Sequence, residues 1–240
     1  MNLILVPQQN PVLEFEPHSP QSEHLLRVLR LQVGGHCFVG VPQGPRGKAT
    51  VEHIDAGAVT LGVVWEADAP PLFPIELIIG LPRPQSARKI LNTAATLGVS
   101  HIHFFEAQKA EPSYRKSTLW STDEWRTQLQ LGAEQAFATT YPTVTHYKSL
   151  EELLPLCAAQ AHRLALDVYE SPIPLGSYLL DHPQKIYLAI GPERGWSAQE
   201  REWLRAQPFS FAHLGPRVQR VETAMATALG WILARGGFWG

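Results

Sequence analysis

Two stretches near the end of the chain restrict its fold more than any other: Ile190-Gly191-Pro192-Glu193-Arg194-Gly195-Trp196 and Leu214-Gly215-Pro216-Arg217-Val218-Gln219-Arg220-Val221-Glu222-Thr223-Ala224. Each follows a short apolar run and precedes a helical pattern. Residues 185–190 (KIYLAI) read as a buried strand, and the glycines after it let backbone N–H groups approach a ligand with no Cβ in the way. Ser197-Ala198-Gln199-Glu200 fits a capping box, so a helix starts just past the first stretch. Residues 209–214 (FSFAHL) form a second short strand, and 221–233 a second helix with small residues at Ala224, Ala226, Ala228 and Gly230. Two strand–glycine–helix corners make a binding crevice at the C-terminal ends of strands. A turn that is only structural has little need for Arg217, Arg220 and Glu222 packed into a helix start.

The same alternation runs upstream. Residues 75–81 are a continuous apolar run, as in a strand buried on both faces. Residues 86–97 place Ile90, Leu91, Ala94 and Leu97 at helical spacing, and Gly98 ends that helix. A strand over 101–106, a helix over 122–137 with a Thr122 cap, a helix over 150–161 and a strand over 164–168 follow. This order predicts an α/β fold with a mostly parallel sheet and helices on both faces.

Before residue 75 the pattern differs. Residues 23–30 read as a short amphipathic helix, with Leu25, Leu26, Val28 and Leu29 on one side and Arg27 and Arg30 on another. Strands over 36–41, 48–54 and 59–65, separated by turn residues, predict a small β-barrel. The linker is 68–74 (DAPPLFP), whose three prolines stop helix and sheet alike. The domains are therefore 1–70 and 71–240. Arg27 and Arg30 serve either as phosphate clamps or as the solvated edge of a helix, and Arg46 and Lys48 are ambiguous in the same way.

Composition narrows the partners. With 45% hydrophobic and 18% charged residues among 240, the chain has apolar mass for a real core. Its formal net charge of −2 gives no bulk attraction to nucleic acid, so such a partner needs a local basic face. Cys37 and Cys157 have no CxxC spacing and read as free buried thiols. No basic leader or membrane-length apolar run is present, which predicts a cytosolic protein. His101 and His103 share one face of a strand, but with no Cys or close carboxylate pair beside them no metal is predicted. The tryptophans sit at core spacing except Trp196, which borders the first glycine loop. GxSxG, P-loop, HExxH and GxGxxG motifs are absent.

The pair of C-terminal stretches resembles the signature of the bacterial 16S ribosomal RNA uridine N3-methyltransferases (RsmE-type) of the SPOUT superfamily. That family reads GPEGG, an apolar residue and S-x-x-E, then LG-x-R-[IV]-LR-x-ETA, and its N-terminal motif HLLRVLR matches residues 24–30. The resemblance implies a PUA-like RNA-binding β-barrel followed by a SPOUT domain with a C-terminal trefoil knot, acting as a homodimer in the cytoplasm on small-subunit ribosomal RNA. The implied cofactor is S-adenosylmethionine, held by Leu166, Ile190, Gly191, Pro192, Glu193, Gly195, Leu214, Gly215, Val218, Arg220 and Thr223. Arg220 and Glu222 are the implied catalytic pair, and Arg27, Arg30, Arg83, Lys109 and Arg217 the RNA contacts. The sequence departs from the pattern at Arg194 (family glycine), Gln219 (family apolar), Thr96 (family glutamate), Ser86 (near a family lysine) and Ala138 (family arginine). A diverged paralogue acting as a cofactor-binding or a non-catalytic RNA-binding, ribosome-associated module is the alternative. It predicts RNA binding without methyl transfer.

Overall fold

The computed structural model describes residues 3–69, 71–180 and 183–239. Met1 and Asn2, where the family carries an arginine, and Pro70 of the linker lie outside the described residues. The chain divides into two compact units, Met1–Pro71 with Gln130–Tyr141, and Leu72–Leu129 with Pro142–Gly240.

The first unit holds β1 (Leu3–Leu5), β2 (Val12–Phe15), β3 (His36–Gly40), β4 (Pro45–Asp55) and β5 (Ala58–Asp68) in one sheet, ordered β1-β3-β4-β5-β2. Cys37 and Val39, Ala49 and Val51, and Val59 and Leu61 recur every second residue and fill its core. Between β4 and β5 the chain reverses through Ala56 and Gly57, both at positive φ, a turn whose twist suits a hairpin. The predicted helix over 23–30 is corrected. A single turn, α1 (Pro20–Glu23), capped by Ser19, opens into a π-helical turn at His24–Val28. There the Leu29 N–H donates to His24 O at 2.9 Å, a five-residue step. That step takes side chains off the i, i+3/i+4 register, so Leu25 is fully buried while Val28 is 66% exposed. Arg46 donates to Phe137 O at 3.0 Å with its guanidinium 4.6 Å above the Phe137 ring, so it is committed inside this unit.

The second unit is a seven-stranded parallel sheet. Its strands are β6 (Phe73–Gly80), β7 (Val99–Phe105), β8 (Thr143–Tyr147), β9 (His162–Leu166), β10 (Ile173–Pro174), β11 (Ile186–Ile190) and β12 (Ser210–His213). They are ordered β10-β12-β9-β11-β6-β7-β8. Ile75, Leu77, Ile78 and Ile79 of β6 have no exposed surface, as a run covered on both faces requires. The unit's helices are α2 (Pro84–Thr96), α3 (Thr118–Ser121), the first half of α4 (Glu124–Gln135, whose residues from Gln130 on belong to the first unit), α5 (Leu150–Leu153), α6 (Ala198–Ala206) and α7 (Val221–Arg235). Leu150, Leu153 and Leu204 of α5 and α6 join one core cluster with Ile78, Phe105, Ala165 and Ala189. Helices α2 and α7 pack on each other.

The helix predicted from a Thr122 cap is corrected: α4 starts after Asp123, whose carbonyl accepts from the Thr127 N–H at 3.2 Å, while the Thr122 hydroxyl accepts from the Glu124 N–H at 3.3 Å one residue upstream. The helix predicted over 150–161 is corrected: α5 has one turn and Leu154–Leu156 tighten into a 3₁₀ turn. Pro155 removes the N–H and crowds the preceding turn, so the α-helix cannot continue. Both cysteines are free and buried, and burial pushes each thiol up to about 11.

Candidate functional site

The C-terminal ends of β9, β11 and β12 feed three loops that meet around a cavity of about 370 Å³. Residues 166–169, 190–196, 212–215 and 217–222 line it, with Arg83 and Ser86 from the start of α2 and Ala224 from α7. Such a volume suits a small organic ligand.

The loop after β11 is tied down at nearly every residue. The Gly195 N–H donates to Pro192 O at 2.8 Å, and Gly195 sits at φ +68°, where a Cβ would be strained. Arg194 is not among the positive-φ residues, so its Cβ carries no backbone penalty and the loop keeps its turn without the family's paired glycines. Gly80, ending β6, gives this loop passage: a Cβ there would lie 2.6 Å from Pro192 Cδ. Trp196 is 1% exposed, donates through Nε1 to Leu166 O at 2.8 Å, and lies parallel to Phe105 with centroids 5.9 Å apart. It therefore joins two of the loops and walls the cavity from within. Ser197 and Glu200 form the predicted capping box, and the second Glu200 oxygen accepts from the Gln108 N–H at 2.9 Å. Glu193 accepts from the Arg83 N–H at 3.0 Å, with Arg83 Nε at 3.7 Å from the same oxygen. Lys109 Nζ donates to Trp196 O at 2.7 Å.

The loop after β9 rests on a buried ion pair. Arg201 of α6 grips Asp167 through Nε and Nη2 at 2.5 and 3.3 Å, and Asp167 Oδ1 also accepts from the Tyr169 N–H at 2.9 Å. The loop after β12 is held more sparsely, by the Gly215 N–H donating to His213 Nδ1 at 3.0 Å and by the Thr227 hydroxyl donating to Gln219 Oε1 at 3.0 Å. Arg194, Arg217 and Arg220 line the cavity, are exposed, and make no ion pair among the described residues. Arg220 is the residue from which α7 starts, where the helix macrodipole favours anions. Glu222, in the first turn of α7, lies with Oε1 3.4 Å from Lys89 Nζ. Burial pushes its carboxyl up, but its own backbone N–H, Lys89 and Ser86 outweigh that and hold it below the usual range.

The cavity thus gathers Leu166, Ile190, Gly191, Pro192, Glu193, Gly195, Leu214, Gly215, Val218, Arg220, Glu222, Arg83 and Arg217. Thr223 and Lys109 are exposed and outside its lining, and Arg27 and Arg30 belong to the first unit, where Arg27 pairs with Glu23 at 2.6 Å. Sequence reasoning passed over Asp167 and Tyr169. The signal available was a carboxylate and an aromatic directly after the apolar run of β9.

At the opposite end of the sheet, Glu76, His101 and His103 place donor atoms within 4.8 Å of one another, a carboxylate partner that sequence spacing did not reveal. His103 Nε2 meets Glu76 Oε2 at 2.8 Å, Lys185 Nζ meets Glu76 Oε1 at 2.7 Å, and the two imidazoles stack at 3.8 Å. Burial pushes the Glu76 carboxyl up, but His103 and Lys185 overcome it and hold it at about 2. Burial and the charge of His103 press His101 down to about 4.

A family model described as RNA methyltransferase domain matches residues 69–233. Ribosomal RNA small subunit methyltransferase E of Treponema pallidum (strain Nichols) is 32% identical over 253 residues, covering 100% of this chain and 93% of the relative. The protein of the same name from Bacillus subtilis (strain 168) is 25% identical over 90% of this chain and 88% of its own. The crystal structure of a ribosomal RNA small subunit methyltransferase E from Neisseria gonorrhoeae bound to S-adenosyl methionine superposes with a TM-score of 0.77 at 20% identity, covering 98% of this chain and 97% of that one. That last likeness is one of fold, and it bears out the α/β architecture with its mostly parallel sheet.

Proposed function

This chain belongs to the RNA methyltransferase domain family, and from that premise we propose that it transfers a methyl group from S-adenosylmethionine to N3 of a uridine in small-subunit ribosomal RNA. One observation carries the reading: three loops at the C-terminal ends of β9, β11 and β12 meet at one cavity whose Arg194, Arg217 and Arg220 have no ion-pair partner among the described residues. Paired arginines would serve the fold. Unpaired ones beside a cavity are available to phosphate and to developing negative charge.

The lining fits the cofactor. Leu166 and Ile190 offer apolar walls, and the backbone of Gly191, Gly195, Leu214, Gly215 and Val218 offers the groups that grip an uncharged purine. Bound S-adenosylmethionine supplies an electrophilic methyl on sulfonium sulfur. As the N3 proton passes to solvent and the methyl would move from sulfur to N3 with S-adenosylhomocysteine leaving, Arg220 stabilises the negative charge spread onto uracil O2 and O4, and Arg217 holds RNA phosphate. Glu222, kept ionised by Lys89 and not paired with Arg220, contacts the substrate from the same cavity.

The finer readings rest on the same family resemblance. They are a trefoil knot threaded through the loops around the cavity, a PUA-like barrel in residues 1–70 ahead of a SPOUT domain in 71–240, and a homodimer in the cytoplasm. The five-strand order β1-β3-β4-β5-β2 supports the barrel. Among the described residues no helix is long and apolar enough to cross a membrane.

Calorimetric titration with S-adenosylmethionine, followed by nucleoside analysis of small-subunit RNA treated with protein and cofactor, tests the reading. Saturable binding and new 3-methyluridine are expected. No binding at millimolar cofactor would overturn it.

A further inference from the structure

Tyr169 has no part in the reading above, yet it is 77% exposed on the rim of the cavity. Exposure of one tyrosine means little by itself. Here its backbone is fixed while its ring is left free. The Tyr169 N–H is held at 2.9 Å by Asp167, which is 5% exposed and gripped by Arg201. The Arg201 guanidinium lies 5.9 Å from the ring centroid, and the ring edge passes 3.7 Å from where a Cβ on Gly195 would stand. The ring is thus seated on the loop carrying Arg194. Across the same mouth Val218 is 78% exposed. A protein with a net charge of −2 has no bulk field to gather RNA, so affinity must come from built contacts such as these.

Resting on the proposed methyl transfer to RNA, we infer that Tyr169 is a nucleobase-stacking residue, holding a base of the RNA at the cavity mouth while Arg194 and Arg217 take the flanking phosphates. A flat π surface beside cations that lack carboxylate partners matches the two parts of a nucleotide chain, base and phosphate. The exposure of Tyr169 separates it from the cofactor's place. The enclosed wall is Trp196, at 1% exposure, and Leu166, at 8%. The occupant of the open rim is the RNA.

The test uses full-length protein with Tyr169→Ala, Tyr169→Leu, Tyr169→Phe and Tyr169→Trp, small-subunit RNA as methyl acceptor at saturating S-adenosylmethionine, and calorimetry for the cofactor. The Ala and Leu variants are expected to raise the KM for RNA roughly tenfold or more, from the loss of one stacked base. The Phe and Trp variants should stay near the parent, and cofactor affinity should be unchanged in all four. Leu keeps the apolar bulk without the π face, so it separates stacking from packing. Unchanged KM in both Ala and Leu would overturn the inference. So would an equal loss of cofactor affinity, which would give the ring to the cofactor's purine. If the parent transfers no methyl group, the functional reading fails, and binding of a single-stranded RNA oligonucleotide by the same variants still decides for or against Tyr169.

Discussion

The two ends of the parallel sheet treat charge in opposite ways. Where the strands begin, Lys185, Glu76 and His103 satisfy one another across neighbouring strands, and His101 closes on Thr145 at 2.7 Å. Where the strands finish, Arg194, Arg217 and Arg220 stand exposed around a cavity without carboxylate partners among the described residues. A single face of β7 carries His101, His103 and Phe105 in turn, the last of them against Trp196 at the cavity. The lesson is that polar clusters are not equivalent evidence of function. Charges that pair internally hold the sheet, and charges left unpaired beside a cavity await a ligand.

That contrast can be broken from either end. Arg220→Ala should lower kcat/KM for methyl transfer roughly 100- to 1,000-fold, as loss of a group that stabilises developing charge does, with Tm unchanged in a thermal melt. A matching fall in Tm would show that Arg220 serves the fold. Glu76→Ala should do the reverse. It strands His103 and Lys185 and should cost about 2 kcal/mol, read as a drop of roughly 5 °C in Tm, while kcat and KM stay at parent values.

Acid sharpens the same end. The folded-state pKa of His101, about 4, lies below its ordinary 6.5, and His146 is likewise held at about 4 by burial and by Arg115. The unfolded chain therefore binds more protons between pH 6.5 and 4, and stability falls as pH drops through that window. Glu76, at about 2 rather than 4.5, adds its loss only below pH 4.5. Tm should fall by roughly 3 °C from pH 7 to 5.5, and His101→Gln should flatten part of that slope. The smallest effect is expected for Arg194→Gly. Because Arg194 does not need a left-handed backbone, restoring glycine should lower stability by about 0.5 kcal/mol through unfolded-state entropy. Calorimetry should find cofactor affinity unaltered, and a marked gain would mean that the arginine obstructs the cavity.

What was legible in the sequence was whatever depends on neighbours along the chain. The two-face burial of β6 shows as an apolar run interrupted by Glu76, and the Ser197–Glu200 box names its own helix start. Local chemistry also misled where one residue outweighs a pattern, as Pro155 does in the helix predicted over 150–161. Edge strand β8 went unread because its Thr143–Tyr147 run is half polar and half exposed. The partnership of Glu76 with His103 was invisible for a different reason. It requires knowing that β6 and β7 are neighbours in register, which periodicity does not encode. The cost of Arg194 likewise depended on a backbone angle, not on a residue type.

The contacts that build the cavity carry a last consequence, for how the chain reaches its native state. Glu193 meets the Arg83 N–H across 110 residues of sequence, and Glu200 meets the Gln108 N–H across 92. Central strand β6 finds its neighbour β11 only after β7, β8 and β9 have been made. Loop closure over such spans must precede any reward from the contacts, so the sheet completes late and slowly. During synthesis the ligand cavity is among the last features to exist, and the ability to bind a ligand there becomes a timer for the completion of folding.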